Sequence, residues 1–169
     1  QNAFKRTGMV FERLFPGTTV EQVQVYLDNV RAGSLINDVI ARIVKLHPDR
    51  FRGMAQLPQN KEKDTRNCVA ELERCVKELG FVGAYLNPDP AGDKLTPGVH
   101  EEYWYPLYEK AVELDVPLMI HPSVTYDRRL EIIPANYQMN NYLEEFVAMQ
   151  LYSHSNVFKV FPKLKIVVC

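Results

Sequence analysis

Apolar residues recur along the chain at two spacings, one typical of helices and one of short strands. Helical spacing appears in five segments, residues 20–30, 35–44, 68–79, 107–114 and 143–151. The second segment ends at His47-Pro48, since proline stops a helix. The third is bounded by capping side chains at 64–67 and by Gly80 in the position of a C-terminal cap. Pro106 is compatible with the fourth only near its first turn.

Short apolar runs between the later helices predict four strands, at residues 52–58, 81–87, 116–123 and 164–169. The run at 81–87 is apolar on both faces, which predicts a parallel strand buried on both sides. An irregular stretch that includes Tyr126 and Tyr137 separates the third strand from the last helix. Helices alternating with strands, without a linker or repeat, predict a single α/β domain over residues 1–169.

Composition narrows the class of protein. The 169 residues, 19.5 kDa, suit one domain but not a complete (β/α)8 barrel, which needs about 250 residues. A net charge of -1 argues against a nucleic-acid partner, which calls for a basic excess. No run of 18 apolar residues occurs, so we expect no membrane insertion and a cytoplasmic location. Cys68 and Cys75, seven residues apart on one helix, are expected to be reduced core residues.

Four histidines are candidates for chemistry, and their contexts differ. His47, His100 and His154 lie at helix ends or in a polar loop and are predicted to be surface residues. His121 follows the apolar run VPLMI, at the carboxyl end of a predicted strand, where ligand sites of parallel sheets form. On pattern alone, His121 is equally compatible with a site residue and with a hydrogen-bonded core histidine.

Polar residues after the strand at 81–87 are the next candidates. Asn87 ends the strand and could hydrogen-bond a ligand, although an Asx turn before Pro88 explains it equally well. Asp89 and Asp93 follow in the same loop, and Asp89 between two prolines favours a turn role.

Four phrases carry a resemblance to a known family: NDVIARIVKLHPDRFRGMAQLPQ, ELERCVKELGFVGAYLNPDP, YWYPLYEKAVELDVPLMIHPS and NVFKVFPKLKIVV. They resemble the metal-dependent amidohydrolase-related proteins that include aminocarboxymuconate-semialdehyde decarboxylase, and are closest to the hydratases of 4-oxalomesaconate. The resemblance covers most of residues 34–169. It implies an α/β fold, a distorted (β/α)8 TIM barrel with a divalent metal, zinc in our expectation, at its carboxyl face. His121 is then implied to be a metal ligand.

The resemblance also implies substrate contacts. Tyr137 matches a tyrosine that touches substrate in the hydratases, where a phenol can donate a hydrogen bond to a carboxylate or an enolate oxygen. Packing at a helix start is the alternative for Tyr137. Arg128 and Arg129 in the preceding loop could bind a carboxylate in bidentate fashion. The matching loop of the hydratases is small and polar, so the substrate is left open.

Several family features are missing from the sequence. No His-x-His pair occurs, and the chain stops before the histidine and the acidic ligand that follow the last strand in the family. The strand expected between residues 31 and 35 has no room. A catalytic zinc normally takes three protein ligands. We therefore expect the chain to be part of a barrel that lacks its first and last strands, and to be inactive alone.

The predicted function is a lyase that adds water to a carbon–carbon double bond of a small carboxylic acid from aromatic-compound degradation. Non-oxidative decarboxylation is the alternative reaction, and hydrolysis is the third. A catalytically empty barrel fragment is the alternative outside enzymes. Unpaired sheet edges associate with other chains, so a homo-oligomer is expected.

Overall fold

The computed structural model describes residues 34–59, 64–90, 92, 94–122 and 136–168. Helices and strands alternate through them in the order α1 (Ser34–Leu46), β1 (Ala55–Gln56), α2 (Arg66–Lys77), β2 (Ala84–Leu86), α3 (Tyr105–Glu113), β3 (Leu118–Ile120), α4 (Asn136–Ser153), α5 (Val157–Val160) and β4 (Ile166–Val168). A 3-10 turn at Glu102–Trp104 leads into α3. The helix predicted at 20–30 lies outside the described residues.

The strands form one parallel sheet with the order β1-β2-β3-β4. Each strand pairs with the next strand in sequence, and at least one helix lies between them in the chain. Parallel neighbours joined through helices are the repeating unit of a (β/α)8 barrel. The predicted α/β class is confirmed, with four consecutive strands of such an arrangement present.

One face of this sheet carries the core. Ala84, Leu86, Leu118 and Ile120 are fully buried in a cluster with side chains of the helices. Tyr85, which alternation places on the opposite face, is only partly buried. The prediction that the strand near 81–87 is buried on both sides is therefore wrong for one face. In a (β/α)8 barrel the helices cover the outer face, and the other face lines the interior.

The strands are shorter than the apolar runs that predicted them. The first residues of each run form a loop, and the pairing with the next strand begins only after it. Gly53 shows the reason: a Cβ at this position would lie 2.3 Å from the Phe81 ring. The approach of the two segments therefore requires glycine.

The boundaries of α2 agree with the prediction. Asp64 accepts a hydrogen bond from the Arg66 N–H at 3.1 Å, and Gly80 has a φ of 70° after the helix. Cys68 and Cys75 are buried and free, as predicted. Pro106 lies in the first turn of α3, also as predicted.

Two helical regions differ from the prediction. Tyr137 was predicted to lie in an irregular stretch, but α4 begins at Asn136 and includes it. The first turn of α4 is mostly polar and shows no helical spacing of apolar residues, so the sequence pattern did not indicate that the helix begins there. The short helix α5 was not predicted, since four residues are too few to show a period.

A buried hydroxyl pair joins α3 to α4. Tyr108 donates a hydrogen bond to the Val99 carbonyl, and its hydroxyl lies 2.7 Å from that of Tyr152. Burial raises the pKa of both phenols, so both are neutral at physiological pH. No helix within the described residues is both long and apolar enough to cross a membrane.

Candidate active site

His121 is the first residue after β3, at the carboxyl end of the sheet. Its N–H donates to the Leu86 carbonyl at 2.9 Å, so the pairing of β2 with β3 continues one residue beyond the ladder. Its side chain is exposed. Alternation places it on the same face as Met119, opposite the helices. His121 is therefore an exposed residue at the carboxyl end of the sheet and not a buried core histidine.

The Tyr85 ring contacts the imidazole of His121. The two ring centroids are 5.3 Å apart with an interplanar angle of 77°, an edge-to-face arrangement. Among the described residues, none forms a hydrogen bond with the imidazole nitrogens. The ring is thus packed on one side against Tyr85, and its nitrogens carry no bond to the described residues.

Asn87 lies beside His121, since Leu86 pairs with Ile120 and the next pair in register is Asn87 with His121. Its backbone is fixed by the Gln59 amide, which accepts from the Asn87 N–H at 2.8 Å and donates to its carbonyl at 2.7 Å. Its side-chain oxygen accepts the Asp89 N–H at 3.0 Å, so the Asx turn left open by the sequence is present.

Gln59 is a site-supporting residue that the sequence did not reveal. It lies 28 residues before Asn87 and ends the first of the four family phrases, where no role was predicted for it. The only signal is its place just after β1, at the same end of the sheet. A double hydrogen bond from a side-chain amide holds a strand end as another strand would.

The other predicted site residues are not brought together within the described part. Arg128 and Arg129 lie outside it. Tyr137 belongs to the first turn of α4, and its side chain also lies outside the described part. Their proximity to His121 stays a prediction.

The other three histidines and Asp89 differ in how exposed they are. His47 and His154 are exposed, as predicted, whereas His100 is half-buried, with its Nδ1 unpaired within the described residues. The His100 ring packs against the backbone of Gly98, so this histidine is at the surface only in part. Asp89 is buried and accepts bonds within its loop, which confirms its turn role.

A metal site would need more ligands than the described residues supply. His121 fits a ligand role by its exposure and its position after β3. Within the described ranges, however, no three His, Cys, Asp or Glu side chains converge. Burial raises the pKa of the Cys68 and Cys75 thiols to about 12, so both are protonated in the metal-free protein at neutral pH. The described residues therefore supply one candidate ligand and not a complete site.

Comparison with known proteins identifies one family that the chain matches. The sequence model of a family described as Amidohydrolase matches residues 11–169. The 2-keto-4-carboxy-3-hexenedioate hydratase of Sphingobium sp. (strain NBRC 103272 / SYK-6) is 43% identical over 133 residues, which are 78% of this chain and 38% of that protein.

Two solved structures are similar in fold. The 4-oxalomesaconate hydratase of Rhodopseudomonas palustris is 40% identical with a TM-score of 0.69, over 83% of this chain and 40% of that one. The dihydroxybenzoic acid decarboxylase of Polaromonas sp. JS666, with bound manganese, is 30% identical with a TM-score of 0.62, over 80% and 42%. The chain thus spans about two-fifths of the length of these relatives.

Proposed function

Because this chain belongs to the amidohydrolase family, we propose that the protein is a metal-dependent lyase that adds water to a carbon–carbon double bond of a small unsaturated carboxylic acid. The observation that carries the proposal is the position of His121, exposed at the carboxyl end of a parallel sheet on the face away from the helices. The identity to a hydratase over 78% of the chain supports hydration as the reaction.

In this proposal His121 supplies one ligand of a divalent metal, zinc or manganese, and the other ligands lie outside the described residues. A bound metal of this kind polarises a substrate oxygen and lowers the pKa of bound water. The Tyr85 ring keeps the imidazole in place. Asn87, Tyr137, Arg128 and Arg129 are proposed to hold the substrate, with the arginines pairing with its carboxylates.

Decarboxylation is the second candidate reaction, and a specific finding supports it. A decarboxylase of dihydroxybenzoic acid is 30% identical to this chain with a TM-score of 0.62. Among relatives that match 78–86% of this chain, the hydratases are more similar in sequence, at 43% and 40% identity, than the decarboxylases at 33% and 30%. Hydration is for that reason the first proposal.

The test uses the purified protein at its natural length, with zinc or manganese supplied in parallel samples. We expect 4-oxalomesaconate to lose its conjugated absorbance without release of carbon dioxide. Carbon dioxide released from dihydroxybenzoate, with no change in 4-oxalomesaconate, would replace hydration by decarboxylation. Inactivity towards both, in protein shown to be folded and metal-loaded, would contradict the proposal and favour the catalytically empty alternative.

Three broader predictions belong with this proposal. Residues 1–169 form one domain that is part of a barrel. The protein functions in the cytoplasm, an expectation that rests on composition. It also self-associates, since α4 exposes large apolar side chains, among them Tyr142 at 65% and Phe146 at 57% exposure.

A further inference from the structure

The backbone pairing of β1 with β2 stops where the candidate active site begins. Within the pairing, the Ala55 N–H donates to the Gly83 carbonyl at 2.8 Å. A parallel ladder continued in this register would bond the Asn87 N–H to the Leu57 carbonyl and the Gln59 N–H to the Asn87 carbonyl. The Gln59 N–H donates to the Leu57 carbonyl instead, at 2.8 Å.

A γ-turn centred on Pro58 causes this change. Its bond is the one from the Gln59 N–H to the Leu57 carbonyl. The proline ring holds φ at about −65°, close to the value of about −75° at the centre of an inverse γ-turn. The turn uses the donor and the acceptor that would otherwise bond to Asn87, so the backbone of β1 leaves the sheet at this point.

The side chain of Gln59 replaces both backbone groups. Its Oε1 accepts the Asn87 N–H at 2.8 Å, and its Nε2 donates to the Asn87 carbonyl at 2.7 Å. A carboxamide carries the same kinds of donor and acceptor as a peptide group, so it can continue a ladder. On the other side of the same strand, the Leu86 carbonyl accepts the His121 N–H at 2.9 Å.

These bonds fix the side chain of Asn87 as well as its backbone. The Asp89 N–H donates to the Asn87 Oδ1 at 3.0 Å. Because the backbone and the oxygen are both fixed, the direction of the two N–H donors of the same carboxamide is set. Donors of this type bind carboxylates, the group expected on the proposed substrate.

His121 is held in a different way. Its backbone bonds to Leu86, and its ring packs on Tyr85 at a centroid distance of 5.3 Å. Neither contact involves Gln59. Removing the Gln59 carboxamide would therefore release Asn87 and leave the contacts of the candidate metal ligand in place.

We propose that Gln59 is a positioning residue for the substrate. It holds Asn87 in the orientation in which the Asn87 carboxamide binds a substrate carboxylate, and it does not act on the metal. This inference rests on the proposed function, since it takes Asn87 as a substrate contact. Substrate affinity then depends on Gln59, whereas metal binding at His121 does not.

The first test needs no substrate and measures amide hydrogen exchange of Asn87 by NMR in the natural-length protein. Gln59→Met keeps the length of the side chain and removes both bonds, so exchange at Asn87 is expected to be at least about tenfold faster. Gln138→Met, an exposed change on α4, should leave this exchange unchanged. Equal exchange in Gln59→Met and the parent would overturn the proposal. Exchange in the parent at the rate of an unbonded amide would overturn it without any variant.

The second test is kinetic and uses 4-oxalomesaconate with the metal supplied. Gln59→Met is expected to raise KM about tenfold, with kcat within about threefold of the parent and metal content unchanged. A fall in kcat at constant KM, or a loss of metal, would overturn the assignment to substrate positioning. Tyr152→Phe, which loses a buried hydrogen bond in the helix layer, controls for lower stability alone and should leave KM unchanged.

The two tests separate this inference from the proposed function. A parent protein that converts no substrate would contradict the proposed function. Exchange at Asn87 would then still decide the role of Gln59: faster exchange in Gln59→Met supports it, and equal exchange overturns it.

Discussion

At the scale of single residues, the outer edge of β1 is closed by one side chain. The Ala55 N–H donates to the Gly83 carbonyl, so the backbone of Gln56 points away from β2. There the Asn37 oxygen accepts the Gln56 N–H at 2.8 Å, and its amide nitrogen donates to the Gln56 carbonyl at 2.9 Å. The carboxamide of a fully buried asparagine thus takes the place of a neighbouring strand at this position.

Replacing this asparagine should destabilise the fold. Asn37→Ala leaves both polar groups of Gln56 unpaired and is expected to lower the free energy of unfolding by about 3 kcal/mol. Arg42→Ala, an exposed change on the same helix, is the control and should stay within about 0.5 kcal/mol of the parent. Urea denaturation measures both, and equal midpoints would show that the Gln56 groups find other partners.

Glu71 links α2 to α1 and makes stability depend on pH. Burial by itself would raise the pKa of this carboxyl, but bonds from Arg74, Asn37 and Ser34 outweigh burial and hold the pKa below its ordinary value of 4.5. The unfolded chain therefore takes up this proton at a higher pH than the folded chain does. The stability contributed by Glu71 is complete above pH 4.5 and is lost as pH falls through the lowered pKa.

The variant Glu71→Gln tests this dependence. We expect it to be less stable than the parent at pH 7, with a difference that shrinks as the pH falls below 4.5. Unfolding midpoints measured from pH 7 to pH 3.5 give the trend. A difference that stays constant across this range would mean that Glu71 acts by packing and not by its charge.

His121 is the residue on which the proposed activity depends. His121→Ala is expected to lower the bound metal of the natural-length protein at least tenfold, because a ligand of the metal is lost. His154→Ala, an exposed histidine after α4, should leave metal content unchanged. Elemental analysis after gel filtration measures both. Full metal content in His121→Ala would remove the residue from the ligand set.

At the scale of elements, the packing of α3 against α4 depends on the hydroxyls of Tyr108 and Tyr152. The Tyr108 hydroxyl both donates to the Val99 carbonyl and lies against Tyr152. It therefore fixes the two helices and the loop before α3 at one point. The Tyr152 hydroxyl donates to the oxygen of the Tyr108 hydroxyl.

The two tyrosines should differ when changed to phenylalanine. Tyr108→Phe leaves the Val99 carbonyl and the Tyr152 hydroxyl unpaired, with an expected loss of about 2–3 kcal/mol. Tyr152→Phe leaves the bond to Val99 intact and should cost about 1 kcal/mol. Thermal or urea unfolding of the pair measures the difference, and a larger loss for Tyr152→Phe would contradict this order of bonds.

At the scale of the whole molecule, helices cover one face of a parallel sheet and leave the other partly open. Tyr85 and Met119 are partly buried on that face, and Val167 is 38% exposed. The candidate active site lies at one end of this face, beyond the carboxyl end of β3.

Self-association should follow from the exposed apolar side chains of α4. Phe146→Glu is expected to reduce concentration-dependent association, because a charge would be buried at the contact. Gln138→Glu, an exposed position on the same helix, adds the same charge as a control. Sedimentation velocity over a hundredfold concentration range measures both variants, and unchanged association of Phe146→Glu would exclude this face of α4.

The sequence by itself determined the order of the four strands and of the helices α1 to α4, the buried cysteines, the cap at Gly80 and the place of His121 at a strand end. These follow from periodicity and capping, which are properties of neighbouring residues. Only the tertiary structure decided that Asn37 bonds to Gln56 and that Gln59 holds Asn87. Those partners lie 19 and 28 residues apart. Their contact depends on the path by which each helix returns the chain to the sheet. No local sequence pattern specifies that path.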